Sequence, residues 1–199
     1  MLTLPLLRKM LNRAGTELKA NSKYLCELDS VAGDGDHGIT IGRMADVMKE
    51  KTEDTTIDTM RVLLDELGDA FMGINGGSAG PLWGTVFTGM AEGIDDQAEL
   101  TDLELRKMFT QAKEDFMDIS KAKPGDKTMV DALYPAIDAI IETQGSLKEI
   151  MTADAGAEQT STMVARFGRA KNMGERSIGT KDPGAVSIAI LFNGMAQAL

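Results

Sequence analysis

Apolar residues in this chain recur at three- and four-residue spacing almost from end to end. Leu4, Leu7, Leu11, Ala14 and Leu18 form one stripe, and Ile57, Met60, Leu64, Leu67, Phe71 and Ile74 form a second. Leu105, Phe109, Ala112, Phe116 and Ile119 form a third. That period puts each set on one face of an α-helix. Alternation of period two, the mark of a half-buried strand, is absent over any useful length. The stripes predict eight helices, over 3–27, 37–51, 56–74, 77–94, 101–120, 127–143, 146–166 and 183–198. Thr101 with Glu104, and Ser146 with Glu149, have the spacing of capping boxes and mark two of the starts. The segment after Pro183 is apolar on all sides and suits either a buried strand or a buried helix. Its length and alanines favour the helix, with Pro183 in the first turn. Loops this short join antiparallel neighbours, so the expected fold is all-α, an up-and-down helical bundle. With 199 residues and no linker or repeat, residues 1–199 read as a single domain.

The rest of the composition narrows the function classes. The formal net charge is −10, without the basic footprint of a nucleic-acid binder or of a protein that lies on anionic membranes. No apolar run reaches the roughly 18 residues of a membrane span. The opening MLTLPLLRKMLNRAG reads as the start of a helix and not as a signal peptide. Cys26 is the lone cysteine and His37 the lone histidine, which excludes a Cys-rich metal site and disfavours zinc. A reducing, cytoplasmic setting fits.

Glycine is distributed unevenly, clustering at 33–42, near 125, at 73–84 and at 168–184. These clusters fall at alternate helix junctions. In an up-and-down bundle alternate junctions share one end, so four polar loops gather on one rim and define a composite site there.

The first of these loops, in LDSVAGDGDHGITIGRM, crowds Asp29, Asp34 and Asp36 beside His37. Two carboxylates about 4 Å apart repel by roughly 4 kcal/mol at an effective dielectric of 20, so such a cluster must separate, take up protons or share cations. An all-oxygen donor set suits Mg²⁺ or Ca²⁺. A helix-loop-helix calcium site counted from Asp34 puts Gly38 at position five and Ala45 at position twelve, where a glutamate is needed, so that pattern fails. Three carboxylates could hold two Mg²⁺ if a polyphosphate supplied the remaining ligands. Without further information, an acidic solvated turn competes with this reading. His37 opens a helix, where backbone N–H groups favour anions.

Two further loops suit phosphate. NGGSAGPLWGT leads a glycine-rich turn into a helix, and RFGRAKNMGERSIGTKDPGA is the one basic segment of an acidic chain. KPGDKTM lacks both the spacing and the preceding strand of a P-loop.

Taken together and in this order, the Asp29 … GDGDHG run, GGSAGPLWGT, PGDKTMVDAL and GRAKNMGERSIGTKDPGA resemble the nucleotide-binding (L) subunits of bacterial dihydroxyacetone kinases. The resemblance implies an eight-helix antiparallel barrel with the nucleotide at one rim. It implies that Asp29, Asp34 and Asp36 ligate two Mg²⁺ that bridge the phosphates. His37, Gly38, Ile39, Thr40, Ser78, Ala79, Met129, Arg169, Asp182, Pro183 and Gly184 would surround ADP or ATP. It also implies a separate K subunit that holds a ketose covalently through a histidine. The phosphoryl donor is ATP in one branch of the family and a phosphotransferase-system phosphoprotein in the other. The chain departs from the family pattern at Thr40, usually Asn, and at Lys171, Asn172, Met173 and Thr180, usually Ser, Tyr, Leu and His. No catalytic base is apparent within the chain. A nucleotide-holding regulator and a Mg²⁺-dependent phosphohydrolase, with His37 as its only candidate base, are the competing classes.

Overall fold

The computed structural model describes residues 1–143, 145–147, 149 and 153–199. Among these, nine α-helices are present: α1 (Leu4–Ala20), α2 (Ser22–Asp29), α3 (His37–Glu53), α4 (Met60–Met72), α5 (Ala79–Glu92), α6 (Asp102–Ile119), α7 (Val130–Glu142), α8 (Ala153–Gln159) and α9 (Pro183–Ala196). Each of α3 to α9 packs on the helix before it in the ring, and α9 returns to α1 while α1 packs on α3. The result is a closed eight-membered ring with α2 as an extension of α1 that leans on α3 and α9. The all-α fold expected from the periodicity is present, and its closure into a ring is the barrel that the resemblance implies.

The stripes form the interior. Leu7, Leu11, Ala14 and Leu18 of α1, Leu64, Leu67 and Phe71 of α4, and Phe109, Ala112 and Phe116 of α6 are all buried. Phe71 meets Trp83 and Phe87 edge-to-face, with ring centroids 6.3 and 5.0 Å apart. Ile119 ends the α6 stripe but is 52% exposed, because the stripe runs out onto the rim.

Several boundaries differ from the sequence expectation, each for a local reason. The helix expected over 3–27 breaks at Asn21, whose φ of −95° and ψ of 4° leave the α-helical range while its side-chain amide donates to Glu17 O, so nine helices replace eight. The helix expected over 56–74 starts only at Met60, where Thr59 accepts the N–H of Val62 at 3.1 Å. The start after Thr101 matches: Glu104 accepts the Thr101 N–H at 2.7 Å. The helix expected over 127–143 begins at Val130. The one expected over 146–166 is short: α8 ends at Gln159, a 3-10 turn covers Thr160–Thr162, and Met163 onward is extended. The proposed start at Ser146 and Glu149 appears as a turn, with Glu149 N donating to Ser146 O; 148 and 150–152 lie outside the described residues. Two elements were not foreseen. Leu2–Thr3 (β1) pairs antiparallel with Glu99–Leu100 (β2), and Arg169–Ser177 forms a 3-10 segment kinked at Gly174. Both are too short to carry a periodic signal. Among the described residues no helix is long and apolar enough to cross a membrane.

Candidate nucleotide and metal site

One cavity of about 570 Å³ opens at the end of the barrel where the four glycine-bearing junctions meet. Its wall draws on the α2–α3 loop, the α4–α5 loop, the α6–α7 loop and the strap between α8 and α9. The convergence expected from alternate junctions is therefore present.

The acidic corner comes from the first loop. The break at Asn21 sends α2 toward the rim, and Asp29 is its last residue. Asp29 Oδ2 accepts the N–H groups of Asp36 and His37 at 3.1 and 3.3 Å, and its carbonyl accepts Gly33 N at 2.6 Å. The loop is thus folded back on Asp29. Asp29, Asp34 and Asp36 each offer a carboxylate oxygen, all within 4.8 Å of one another. Three converging carboxylates and no nitrogen or sulfur donor make a set that fits a hard cation such as Mg²⁺.

Arg169, at the start of the strap, forms an ion pair with Asp34. The pair holds the Asp34 carboxyl below its usual range and the guanidinium above its own. A cation aimed at the acidic corner thus sits at the mouth of the cavity.

His37 is directed inward. Its Nε2 lies 3.2 Å from Ser187 Oγ on α9. Burial lowers its pKa, opposed by the charge of Asp29 and a hydrogen bond to the backbone at Pro183. The ring is thus already partnered.

One side of the wall is apolar: Leu82 and Trp83 of α5, Phe116 and Ile119 of α6, and Ala122 and Met129 between α6 and α7 line it as an apolar slot. Of the residues nominated from the sequence, Asp29, Asp34, Asp36, His37, Ser78, Ala79, Met129, Arg169, Asp182, Pro183 and Gly184 all line the cavity. Gly38, Ile39 and Thr40 do not. Gly38 is packed against the carbonyl of Ser22, Ile39 is 54% exposed, and Thr40 is buried against Gly76. Ser187 and Lys127 were not foreseen. Both act through partners far away in sequence, which local spacing cannot reveal: 150 residues for Ser187 and 33 to 53 for Lys127. Of the altered family positions, Lys171 and Asn172 are exposed, and Met173 and Thr180 face the cavity.

Asp182 caps α9, accepting Ala185 N–H at 2.7 Å. Burial, helped by the charge of Asp131, pushes its pKa from 3.8 up to about 7, against the pull of the Ala185 N–H and of Lys127. Between those values the folded state holds a proton that the unfolded state has released. Stability therefore falls as pH rises from 3.8 to about 7 and levels off above. Asp182→Asn keeps a capping oxygen and loses the ionisation. It is expected to be more stable than wild type above about pH 8, by up to roughly 4 kcal/mol, and to lose that advantage toward pH 4. Urea denaturation across that range measures it.

The all-α ring thus brings a hard-cation corner, a facing arginine and an apolar wall to one cavity. The comparisons with known proteins agree. Residues 31–197 match the model of the DAK2 domain, and the chain belongs to that family. It is 34% identical over 196 residues to the PEP-dependent dihydroxyacetone kinase ADP-binding subunit DhaL of Escherichia coli, covering 94% of this chain and 93% of that one. The ADP-binding subunit DhaL of PEP-dependent dihydroxyacetone kinase 1 of Listeria innocua is 36% identical, covering 95% of this chain and 93% of that one. The L-erythrulose kinase of Pectobacterium atrosepticum is 35% identical over 95% of this chain, which spans 34% of that longer protein. Among solved structures, the dihydroxyacetone kinase of C. freundii in complex with AMP-PNP and Mg²⁺ superposes with a TM-score of 0.75 at 26% identity. That match covers 98% of this chain and 34% of the other.

Proposed function

We propose that this chain is the phosphoryl-transfer subunit of a short-ketose kinase of the dihydroxyacetone kinase type. It would bind ADP or ATP with two Mg²⁺ and pass phosphate to a ketose on a separate K subunit. The observation that carries this is the meeting of the three-aspartate corner, Arg169 and the apolar slot in one cavity. A nucleoside polyphosphate has matching parts: a flat apolar base and an anionic tail that chelates hard cations.

In this reading Asp29, Asp34 and Asp36 hold the metal, and the bound ion supplies charge neutralisation to the phosphates. Arg169 adds a delocalised cation at the tail. Ser78 and Ala79 open α5 at the cavity wall, and backbone N–H groups of a helix's first turn favour anions. His37 to Thr40 begin α3 in the same way, His37 facing the cavity while Gly38 and Thr40 support the turn by packing. Met129 and the Asp182-Pro183-Gly184 turn close the remaining wall. Phosphoryl transfer requires positioning and charge compensation more than covalent help, and these residues supply both. The commitment of His37 to Ser187 leaves it poorly placed to activate water, which disfavours a stand-alone phosphohydrolase.

The donor is either ATP or a phosphotransferase-system phosphoprotein acting on bound ADP. The names of the Escherichia coli and Listeria innocua relatives support the second. No nucleic acid or membrane partner is proposed, and the setting is cytoplasmic. The altered strap positions suit a changed partner or a four-carbon ketose.

Titration of nucleotide-stripped protein with ADP tests the reading. Tight binding with Mg²⁺ and at least about tenfold weaker binding with excess chelator is the expected result. Equal affinity in the two conditions would remove the metal-bridged mode.

A further inference from the structure

Lys127 occupies a position that suits a lysine poorly. Its φ is +60°, and among the described residues it is the one non-glycine residue in the left-handed region. It is also only 3% exposed. A strained backbone and a desolvated ammonium are each unfavourable, and a glycine or an apolar side chain would avoid them.

The ammonium donates to three backbone carbonyls: those of Thr160 and Ser177, each at 2.7 Å, and that of Thr180. Three donors meet three acceptors, so its hydrogen-bonding capacity is filled. Desolvation lowers its pKa, opposed by the charge of Asp182. Thr160 ends the α8 arm, while Ser177 and Thr180 lie where the strap rejoins the barrel. The strap itself is largely exposed, with positive-φ glycines at 168, 174 and 179 that a Cβ would not crowd. Its other ties to the barrel include Arg166 N to Asp126 O at 3.0 Å, Gly179 N to Ser161 O at 2.8 Å, and the Arg169–Asp34 pair. The same knot reaches the start of α9, since Asp182 N donates to Thr160 Oγ1 at 2.9 Å.

We infer that Lys127 is a positioning residue for the phosphate-facing end of the cavity: its buried ammonium fastens the strap to the α8 arm and thereby sets where Arg169 stands. This rests on the nucleotide reading above. A cation held by neutral carbonyls makes a three-way junction that adds to the Lys181–Glu158 and Arg166–Asp126 ion pairs, and one residue thus couples the strap's anchorage to the α9 cap.

Lys127→Met removes the ammonium at near-constant length. Lys127→Gly also removes the backbone strain, and so provides a folded variant should the first be unstable. Lys127→Arg keeps a multivalent cation. Two readouts are required. Trypsin reports the strap through the exposed Arg166, Arg169, Lys171 and Arg176. Calorimetry reports Mg·ADP affinity. In the Met and Gly variants, strap cleavage should accelerate and Mg·ADP affinity should fall, each by at least about tenfold, with cleavage elsewhere unchanged. The Arg variant should recover part of both. Strap cleavage and affinity within twofold of wild type in a folded variant would overturn the proposal. So would simultaneous opening of tryptic sites around the whole barrel, which would make Lys127 a general stabiliser. Should wild-type protein fail to bind Mg·ADP, the nucleotide reading falls, while strap cleavage in the free protein still decides whether Lys127 tethers it.

Discussion

Asp29→Asn is expected to weaken Mg·ADP binding by at least about 100-fold and to reduce phosphotransfer at least in proportion. The substitution is nearly isosteric. Its amide oxygen can still accept the N–H groups of Asp36 and His37, the contacts that fold the loop back on the end of α2. What disappears is one negative charge from a cluster whose carboxylate oxygens lie within 4.8 Å of each other. The decisive feature is the sign of the effect without metal. In chelator, the wild-type carboxylates repel the ADP phosphates, so removing one charge should leave metal-free ADP affinity unchanged or raise it. With Mg²⁺ the same change removes a proposed ligand and should lower affinity. Calorimetry on both proteins under both conditions gives the four values needed. A parallel loss with and without Mg²⁺ would mean that Asp29 only shapes the loop.

The architecture was legible because its cause is local. A stripe such as Leu105, Phe109, Ala112 and Phe116 has one way to bury itself, and helices on short loops have few ways to pack. The position of the cavity followed from the same logic, since alternate junctions must share an end. The break at Asn21 was not legible, because the apolar spacing continues across it and only the backbone turn at Asn21, with its side-chain amide on Glu17 O, reveals it. The 3-10 strap was not legible either. It has little apolar period, and its anchorage comes from Lys127 and Ser177, side chains that bond to main-chain groups elsewhere. The acidic corner stood out in the sequence because its three members lie within eight residues. The apolar slot did not, because Leu82, Phe116, Ala122 and Met129 come from separate elements and look like ordinary core positions. Residues brought together by the fold and not by the chain remain invisible to spacing.

Gly38→Ala is the second large effect, and it links packing directly to the site. Gly38 is the second residue of α3 and touches the first turn of α2. A Cβ built there would stand 1.8 Å from the carbonyl oxygen of Ser22 and 2.8 Å from Cys26 Sγ. The sulfur can rotate away, but the carbonyl belongs to the helix backbone and cannot. The start of α3 must therefore move off α2. Asp29 closes α2, and Asp36 and His37 open α3, so this displacement pulls directly on the hydrogen bonds that hold the acidic corner together. Overpacking of this kind costs about 1–3 kcal/mol of stability, and Mg·ADP affinity should fall at least about tenfold as the carboxylates separate. Gly42, one turn further along the same helix, supplies the control. A Cβ there meets Lys19 and Ser22 side-chain atoms at 3.8 Å, an ordinary contact. Gly42→Ala should leave nucleotide affinity unchanged and stabilise the helix by roughly 0.5–1 kcal/mol, the usual gain from replacing a helical glycine. Urea denaturation and calorimetry on the two variants make the comparison. Equal behaviour of the two would show that the α2–α3 contact does not set the geometry of the aspartates.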